Sequence, residues 1–461
     1  MGTFKRTATS LALVAIFAGY AHGLNGLSPR AMALGQSYTA LARGAEAVAW
    51  NPANLGLKSS PSFKWNLLGL GVALVAENNS FSVQDYNDNF TSDTHVIGDA
   101  EKDKLLGDID AEGLKFNMDA ELVGALGIPL NGGVAFPLPY GLKSAVTTSF
   151  AFGMEGEIPK DMFTLFLKGN EFGQSYDISE WDGSGWALGG LNFAAAKPWL
   201  PAQLKPYLRE FSLGGTLKIT GGAYGEILET RGTGFTSELQ GADIDVHGVA
   251  QNGGGVGFGL DFGAAGVTKD GKTTISLGVL NLLDVMSWSI ESRQDSIFAS
   301  ASNLRVTRAL DEDVNGIEDI LDNPDVDNDG DADFNQKISE DSFDRSLPAM
   351  IRLGAAHRLM PRLTLVGNYD QAFSDGFGIT TTPRLSAGAE YRLVPWFPAR
   401  AGVSAGGRSN GSSIGFAFGP FSVYHMQLEL LDTALVTRGG FFPGIAKGSA
   451  FSVMFFRFNL I

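Results

Sequence analysis

The chain of 461 residues carries a formal net charge of −16, no cysteine, 60 glycines and 32 phenylalanines, with 44% hydrophobic and 18% charged residues. The missing thiols exclude disulfides, thiolate metal sites, cysteine nucleophiles and a lipid-anchored N-terminal cysteine, and this much hydrophobicity at so little charge excludes a disordered chain. The acidity is local: eleven negative charges fall between Asp311 and Gln336, leaving −5 for the rest, and the lack of any basic stripe argues against a nucleic-acid partner.

The N-terminus reads as an export signal. Lys5 and Arg6 precede a short apolar run, Leu11–Ala21, and Ala21-His22-Gly23 offers small residues for cleavage after Gly23. Residues 1–23 are therefore expected to be removed. No stretch of about 18 apolar residues follows, so no membrane-spanning helix is expected. The next segment, SPRAMALGQSYTALARGAEAVAWNPANLGL (Ser28–Leu57), lacks strand alternation and reads as short helical turns broken at Gly35, Gly44 and Pro52.

From residue 59 onward the dominant period is two. Leu385, Ala387, Ala389, Tyr391 and Leu393 alternate with Arg384, Ser386, Gly388, Glu390 and Arg392, and similar runs surround Leu217, Phe262, Val403 and Met426. One face is apolar, and the other carries glycine and charges of both signs. The runs are long enough to cross a bilayer when tilted. The Gly-rich, charged face suits a lumen, and Trp65, Trp199, Trp288, Tyr391 and Trp396 sit near expected strand ends, as in an interfacial girdle. An exported chain without a helical span enters a bilayer only as a closed barrel. The expected fold is all-β: a fourteen-stranded antiparallel transmembrane β-barrel, with strands near 61–76, 114–127, 142–155, 184–198, 209–228, 254–268, 272–288, 347–359, 362–373, 384–394, 398–409, 412–419, 421–431 and 447–459. Short turns alternate with long loops, the longest over 290–346. Arg352, Arg384, Glu390, Arg392, Arg400, Arg408, Glu429, Asp261 and Asp370 are expected in the lumen, paired with one another and anchoring the N-terminal segment.

Two long connections, Gly98–Gly113 and Pro159–Gly173, contain helical stretches. In the second, Met162, Phe163, Leu165 and Phe166 cluster apolar surface on a water-facing loop. Such a cluster reads either as a capture groove for a hydrophobic ligand or as packing of the loop onto the barrel rim.

The acidic stretch DEDVNGIEDILDNPDVDNDGDADFNQ has cation-loop spacing. A twelve-residue calcium loop takes ligands at positions 1, 3, 5, 7, 9 and 12, with glycine at 6. Asp311, Asp313, Asn315, Ile317 (through its carbonyl), Asp319 and Asp322 fill those positions around Gly316. Asp325, Asp327, Asp329, Asp331 and Asp333 repeat the register around Gly330, with Gln336 as a poorer final ligand. The two loops, joined by Asn323-Pro324, resemble the calcium repeats of thrombospondin type 3 modules. One or two structural calcium ions are expected, at an affinity of about 10⁻⁴–10⁻³ M; the alternative is a solvated acidic loop.

The N-terminal segment, with Trp50-Asn51-Pro52-Ala53 near its end, the strand count and the aromatic C-terminal run SAFSVMFFRFNLI together resemble the FadL-like outer-membrane family. That resemblance implies residues 24–58 as a hatch within a barrel formed by 59–461, and uptake of hydrophobic compounds such as long-chain fatty acids across the bacterial outer membrane. Trp50, Asn51, Pro52 and Ala53 read either as hatch packing, Pro fixing the turn and Asn capping it, or as a gate. The expected surroundings are outer-membrane lipid and a hydrophobic small-molecule ligand. The competing reading is a scaffold or secretion-associated barrel whose calcium-stiffened loops meet a cell-surface protein. No catalytic constellation stands out around His95, His247, His357 or His425, so no enzyme is expected.

Overall fold

A computed structural model of the chain describes residues 27–90, 97–126, 128–130, 132–179, 181–230, 234–237, 242–304 and 334–461. The expected signal peptide and all eleven expected calcium ligands, Asp311 through Asp333, lie outside these residues.

The described residues form a closed antiparallel barrel of fourteen strands. They are β1 Lys64–Asn78, β2 Leu114–Leu126, β3 Lys143–Ile158, β4 Asp182–Pro198, β5 Leu208–Glu229, β6 Ala242–Thr268, β7 Thr273–Leu280 continued by Val285–Leu304, β8 Met350–Met360, β9 Leu363–Ala372, β10 Arg384–Val394, β11 Phe397–Gly406, β12 Gly411–Phe418, β13 Leu431–Arg438 and β14 Gly448–Leu460. Each pairs with its sequence neighbour, and β14 closes on β1 from Trp65↔Leu460 to Glu77↔Gly448. The alternation is obeyed. Leu213, Leu217 and Ile219 point outward and are exposed, while Thr216, Lys218 and Thr220, at the alternate positions, are buried. Leu385 and Tyr391 are likewise exposed, and Ser386 and Glu390 buried. A wall apolar outside and polar inside, with no free sheet edge, is a transmembrane barrel.

Four details depart from the expected strands. The segment 421–431 holds only the opening of the thirteenth wall strand. Phe421–Val423 and Met426–Glu429 are the tip of the β12–β13 hairpin, turned at Tyr424 (φ 55°): Phe421↔Leu428 continues the register of Phe418↔Leu431, and Met426↔Leu460 continues that of Asp432↔Met454, so the wall strand runs on to Arg438. Trp288 is not in a girdle: β7 runs on to Leu304, so residue 288 lies mid-strand and is fully buried in the interior. The stretch 290–346 is partly sheet, since Gln294–Ala299 pairs with Phe334–Ser339. With 27 residues, about 90 Å at the rise of a strand, β6 is far longer than a crossing needs, so β6 and β7 project beyond the membrane at the end opposite the C-terminal end of β14. Finally, β2 detours through a hairpin pairing Gly124–Leu126 with Ile128–Leu130. The wall resumes as Gly133–Pro137, which pairs with both β1 and β3.

Candidate functional site in the barrel lumen

Residues 27–57 lie inside the barrel. The segment opens with Ser28, whose Oγ accepts from the Ala31 N–H, ahead of Pro29 at the first position of a short helix, α1 (Pro29–Ala33). Proline is preorganised there because the missing N–H would be unpaired anyway. Two 3₁₀ turns follow, Gly44–Ala49 and Pro52–Gly56. Asn51 caps the second: its Oδ1 accepts from Ala53 N–H at 3.0 Å, and its Nδ2 donates to the Ala264 carbonyl of β6 at 3.0 Å. So Asn51 does two jobs, ending one turn and tying it to the wall.

Attachments run round the whole circumference. Ser452 of β14 donates to the Leu27 carbonyl (2.6 Å), while the Leu27 N–H donates to Glu121 of β2. Ser413 of β12 accepts from Gly35 N–H and donates to the Ala33 carbonyl, each at 3.1 Å. Asn368 of β9 donates to Thr39 Oγ1 (2.6 Å), and Ser276 of β7 donates to Asn54 (2.8 Å). Lys143 of β3 donates to the Leu57 carbonyl at 3.0 Å. These side chains sit where the strand alternation points inward; those from Glu121, Lys143, Ser413 and Ser452 satisfy backbone groups that the irregular segment cannot satisfy itself, and those from Ser276 and Asn368 meet side chains of the segment.

Charges reinforce them. Arg30 makes a two-pronged contact with Glu390 of β10, at 2.8 and 3.0 Å, and Arg400 of β11 reaches the same carboxylate at 3.0 Å. Arg400 also meets Asp432 of β13 at 2.5 Å. Arg457 of β14 holds Glu46 at 2.8 Å, and Tyr38 donates to Glu46 at 2.6 Å. Arg352 of β8 is fully buried and stacks over Trp50, 4.7 Å from its ring centroid. It donates to the Ala49 carbonyl, and its Nε lies 3.7 Å from Asp370. The luminal charges expected from the sequence thus pair with one another, mostly between neighbouring strands, or hold the segment; Arg392, half exposed, pairs with Glu390 two residues away on its own strand.

Burial alone would raise the carboxyl of Glu46, but Arg457, Lys64 and the Tyr38 hydroxyl overcome it and bring its pKa down to about 2. A depressed carboxylate stabilises the folded form above its unfolded pKa, near 4.3, and loses that contribution as pH falls through its folded pKa. Amide exchange across residues 44–57 should therefore accelerate as pH falls from about 4.5 toward 2, relative to a Glu46→Gln variant at the same pH values. A variant that tracks the parent throughout would remove this anchor.

Among the four residues singled out near the segment's end, Trp50, Asn51, Pro52 and Ala53 are all buried together. Trp50 packs edge-on against Tyr38 at 5.5 Å. The apolar loop residues lie elsewhere, on α3 (Lys160–Lys168), which packs on α2 (Asp99–Asp108) through Lys168–Asp103 at 2.5 Å. Met162, Phe163 and Leu165 are half-buried there, and Phe166 is 80% exposed.

Two features were not anticipated. At the end opposite the C-terminal end of β14, a cleft of about 80 Å³ lies above the segment, lined by Gln36, Glu77, Asp119, Arg384, Arg408 and Arg438 among others. Arg384 pairs with Asp370 at 2.5 Å and Arg408 with Asp119 at 3.0 Å. Beside it lies an aromatic cluster of Trp186, Tyr224, Trp288, Phe343 and Phe377. The inward parity of β4 and β5 marks Trp186 and Tyr224, so the sequence carried that signal; Phe377 comes from a connection, where no period applies.

Three solved barrels resemble this chain. A FadL homologue of Pseudomonas aeruginosa aligns with 11% identity and a TM-score of 0.49, over 94% of this chain and 98% of its own. The toluene transporter TodX of Pseudomonas putida aligns with 12% identity and a TM-score of 0.47, over 95% and 99%. CymD, a monoaromatic hydrocarbon channel, aligns with 14% identity and a TM-score of 0.45, over 95% and 98%. No curated protein matches the chain. Residues 56–238 and 225–427 match the model of a family of unknown function, DUF5723, and the chain belongs to that family.

Proposed function

We propose that the protein is an outer-membrane channel for small hydrophobic compounds, with the luminal segment as its gate. One observation carries this reading: residues 27–57 stand across the lumen on side-chain hydrogen bonds and ion pairs, not as part of the wall's ladder. The neutral hydrogen bonds among them exchange for water at small net cost, about 0.5–1.5 kcal/mol each, while the buried ion pairs hold more strongly. The segment can therefore shift while the barrel stays closed. The aromatic cluster above it supplies apolar surface on the route, which a channel for hydrophilic solutes has no use for. Long-chain fatty acids are one substrate class for such a route, and aromatic hydrocarbons are another.

Deleting the gene and measuring cellular uptake of labelled oleate and labelled toluene tests the proposal. Uptake of at least one should fall to background and return when the gene is restored. Unchanged uptake of both would sink the channel reading and leave the interaction barrel as the better account.

The acidic repeats between residues 311 and 333 are proposed to bind calcium on the loop beyond β7. Terbium luminescence of the full-length protein should saturate and be displaced by calcium in the range of about 10⁻⁴–10⁻³ M. The double variant Asp313→Ala, Asp327→Ala should lose most of the signal; an unchanged titration would remove the site.

A further inference from the structure

The connection from β9 to β10 folds back into the barrel mouth and inserts one ring. Gly376 N–H donates to the Ile379 carbonyl at 3.0 Å, and Ile379 N–H returns the bond at 2.9 Å. The two residues between them, Phe377 (φ 50°) and Gly378 (φ 75°), both have positive φ, the requirement of a type I′ turn. Such turns favour Asn-Gly. A bulky side chain at that position strains the backbone, so Phe377 is not there for the turn's sake.

Its side chain explains the choice. Phe377 is 2% exposed, with ring centroids 4.9 Å from Tyr224, 5.8 Å from Trp186 and 6.4 Å from Trp288, the last nearly parallel at 19°. The three surrounding rings stand on wall strands. Trp186 and Tyr224 are directly paired across β4 and β5, and Trp288 stands opposite Gly255. The receptacle is rigid, and its occupant hangs from a loop.

The polar edges of the receptacle are unevenly satisfied. Trp288 Nε1 donates to the Arg345 carbonyl at 2.9 Å, and Tyr224 donates to Glu226 at 2.8 Å. Trp186 is 2% exposed, and its indole N–H finds no acceptor among the described residues. A buried donor left unmade is costly, and phenylalanine has no acceptor to offer. In addition, Gly378, Ile379 and Thr380 of the same turn form one wall of the charged cleft. Withdrawing the turn would join cleft and receptacle into one space.

We propose that Trp186, Tyr224 and Trp288 form a binding site for a flat aromatic ring bearing a hydrogen-bond acceptor, and that Phe377 fills it until such a ligand displaces the turn. The site rests on the channel reading for its purpose, as the capture step ahead of the luminal segment. The binding chemistry stands on the cage itself.

The test is calorimetric titration of 2-naphthol into full-length protein in lipid nanodiscs, with heats from empty discs subtracted. The Phe377→Ala variant should bind about tenfold more tightly than the parent, because the competent state no longer has to be opened. Adding Trp288→Ala should abolish saturable binding. Naphthalene, which lacks the acceptor, should bind Phe377→Ala more weakly than 2-naphthol. Phe377→Gly, which also relieves the backbone, serves as a second variant should the first fold poorly; heat-modifiable gel mobility verifies each barrel. Equal affinity of parent and both variants, or no saturable binding to either variant, would overturn the site. Saturable binding in a protein whose deletion leaves uptake unchanged would keep the site and remove the channel. Uptake without binding would do the reverse.

Discussion

Replacing Glu390 by alanine is expected to destabilise the folded barrel by roughly 3–5 kcal/mol, the usual cost of removing one partner from a buried ion pair. Glu390 is 3% exposed and receives Arg30 from the luminal segment and Arg400 from the wall. Without it, Arg400 keeps only Asp432, and Arg30 loses its wall partner. Two effects should appear together: a lower temperature for loss of heat-resistant gel mobility, and faster proteolysis within residues 27–43. Glu390→Gln retains the shape and one acceptor oxygen but sets an NH2 donor against the guanidinium groups, and should fall between. Combining Glu390→Ala with Arg30→Leu should recover part of the loss, because it removes one stranded cation; a double-mutant cycle measures that coupling. A Glu390→Ala protein as stable and as protease-resistant as the parent would show that Arg30 does not hold the segment in place.

Much of this architecture was legible in the sequence because a barrel wall has one rule, and every strand obeys it. Arg384 to Leu393 announces both faces of β10, and the structure puts Leu385 in lipid and Glu390 in the lumen. The rule fails where alternation is present but its context is not. Phe421–Leu430 alternates as one run, yet Tyr424 takes a left-handed conformation and turns the chain there, so Phe421–Val423 ends one side of the β12–β13 hairpin and Met426 opens the other. Nothing in a period of two says where a run turns. Trp288 differs for a related reason: the expected strand ends at 288, whereas the strand continues to Leu304 and residue 288 faces inward.

The luminal site was only half legible. The Trp50–Ala53 turn stood out through its irregularity, and Asn51 caps the turn as its type suggested. Its second bond, to Ala264, joins residues 213 positions apart and leaves no local trace. The aromatic receptacle likewise needs β4, β5, β7 and a loop to meet, which sequence spacing does not encode.

The glycines of the lumen face show the same limit and give the sharpest test. Their abundance marked a lumen without saying why a given glycine is there. At Gly214 of β5, a Cβ would stand 2.7 Å from the Ala53 nitrogen and from the Pro52 carbonyl carbon. Both neighbours are backbone, and Gly214 is itself fixed by ladder pairing to Ala196 and Gly263 on either side. Overpacking of a core commonly costs about 1–3 kcal/mol where side chains can shift; here none can give way. Gly214→Leu should therefore expel the Pro52–Gly56 turn while the wall, stabilised by its own ladder, still closes. The bonds Asn51–Ala264 and Asn54–Ser276 go with it. In planar bilayers the variant should conduct far more than the parent. Gly215, the next residue, faces outward, and a Cβ there meets nothing closer than 3.4 Å; Gly215→Leu should leave conductance at the parent's level. If Gly214→Leu folds, as judged by heat-modifiable mobility, and conducts no more than Gly215→Leu, then residues 52–56 do not block the lumen, and the gate assigned to them is lost.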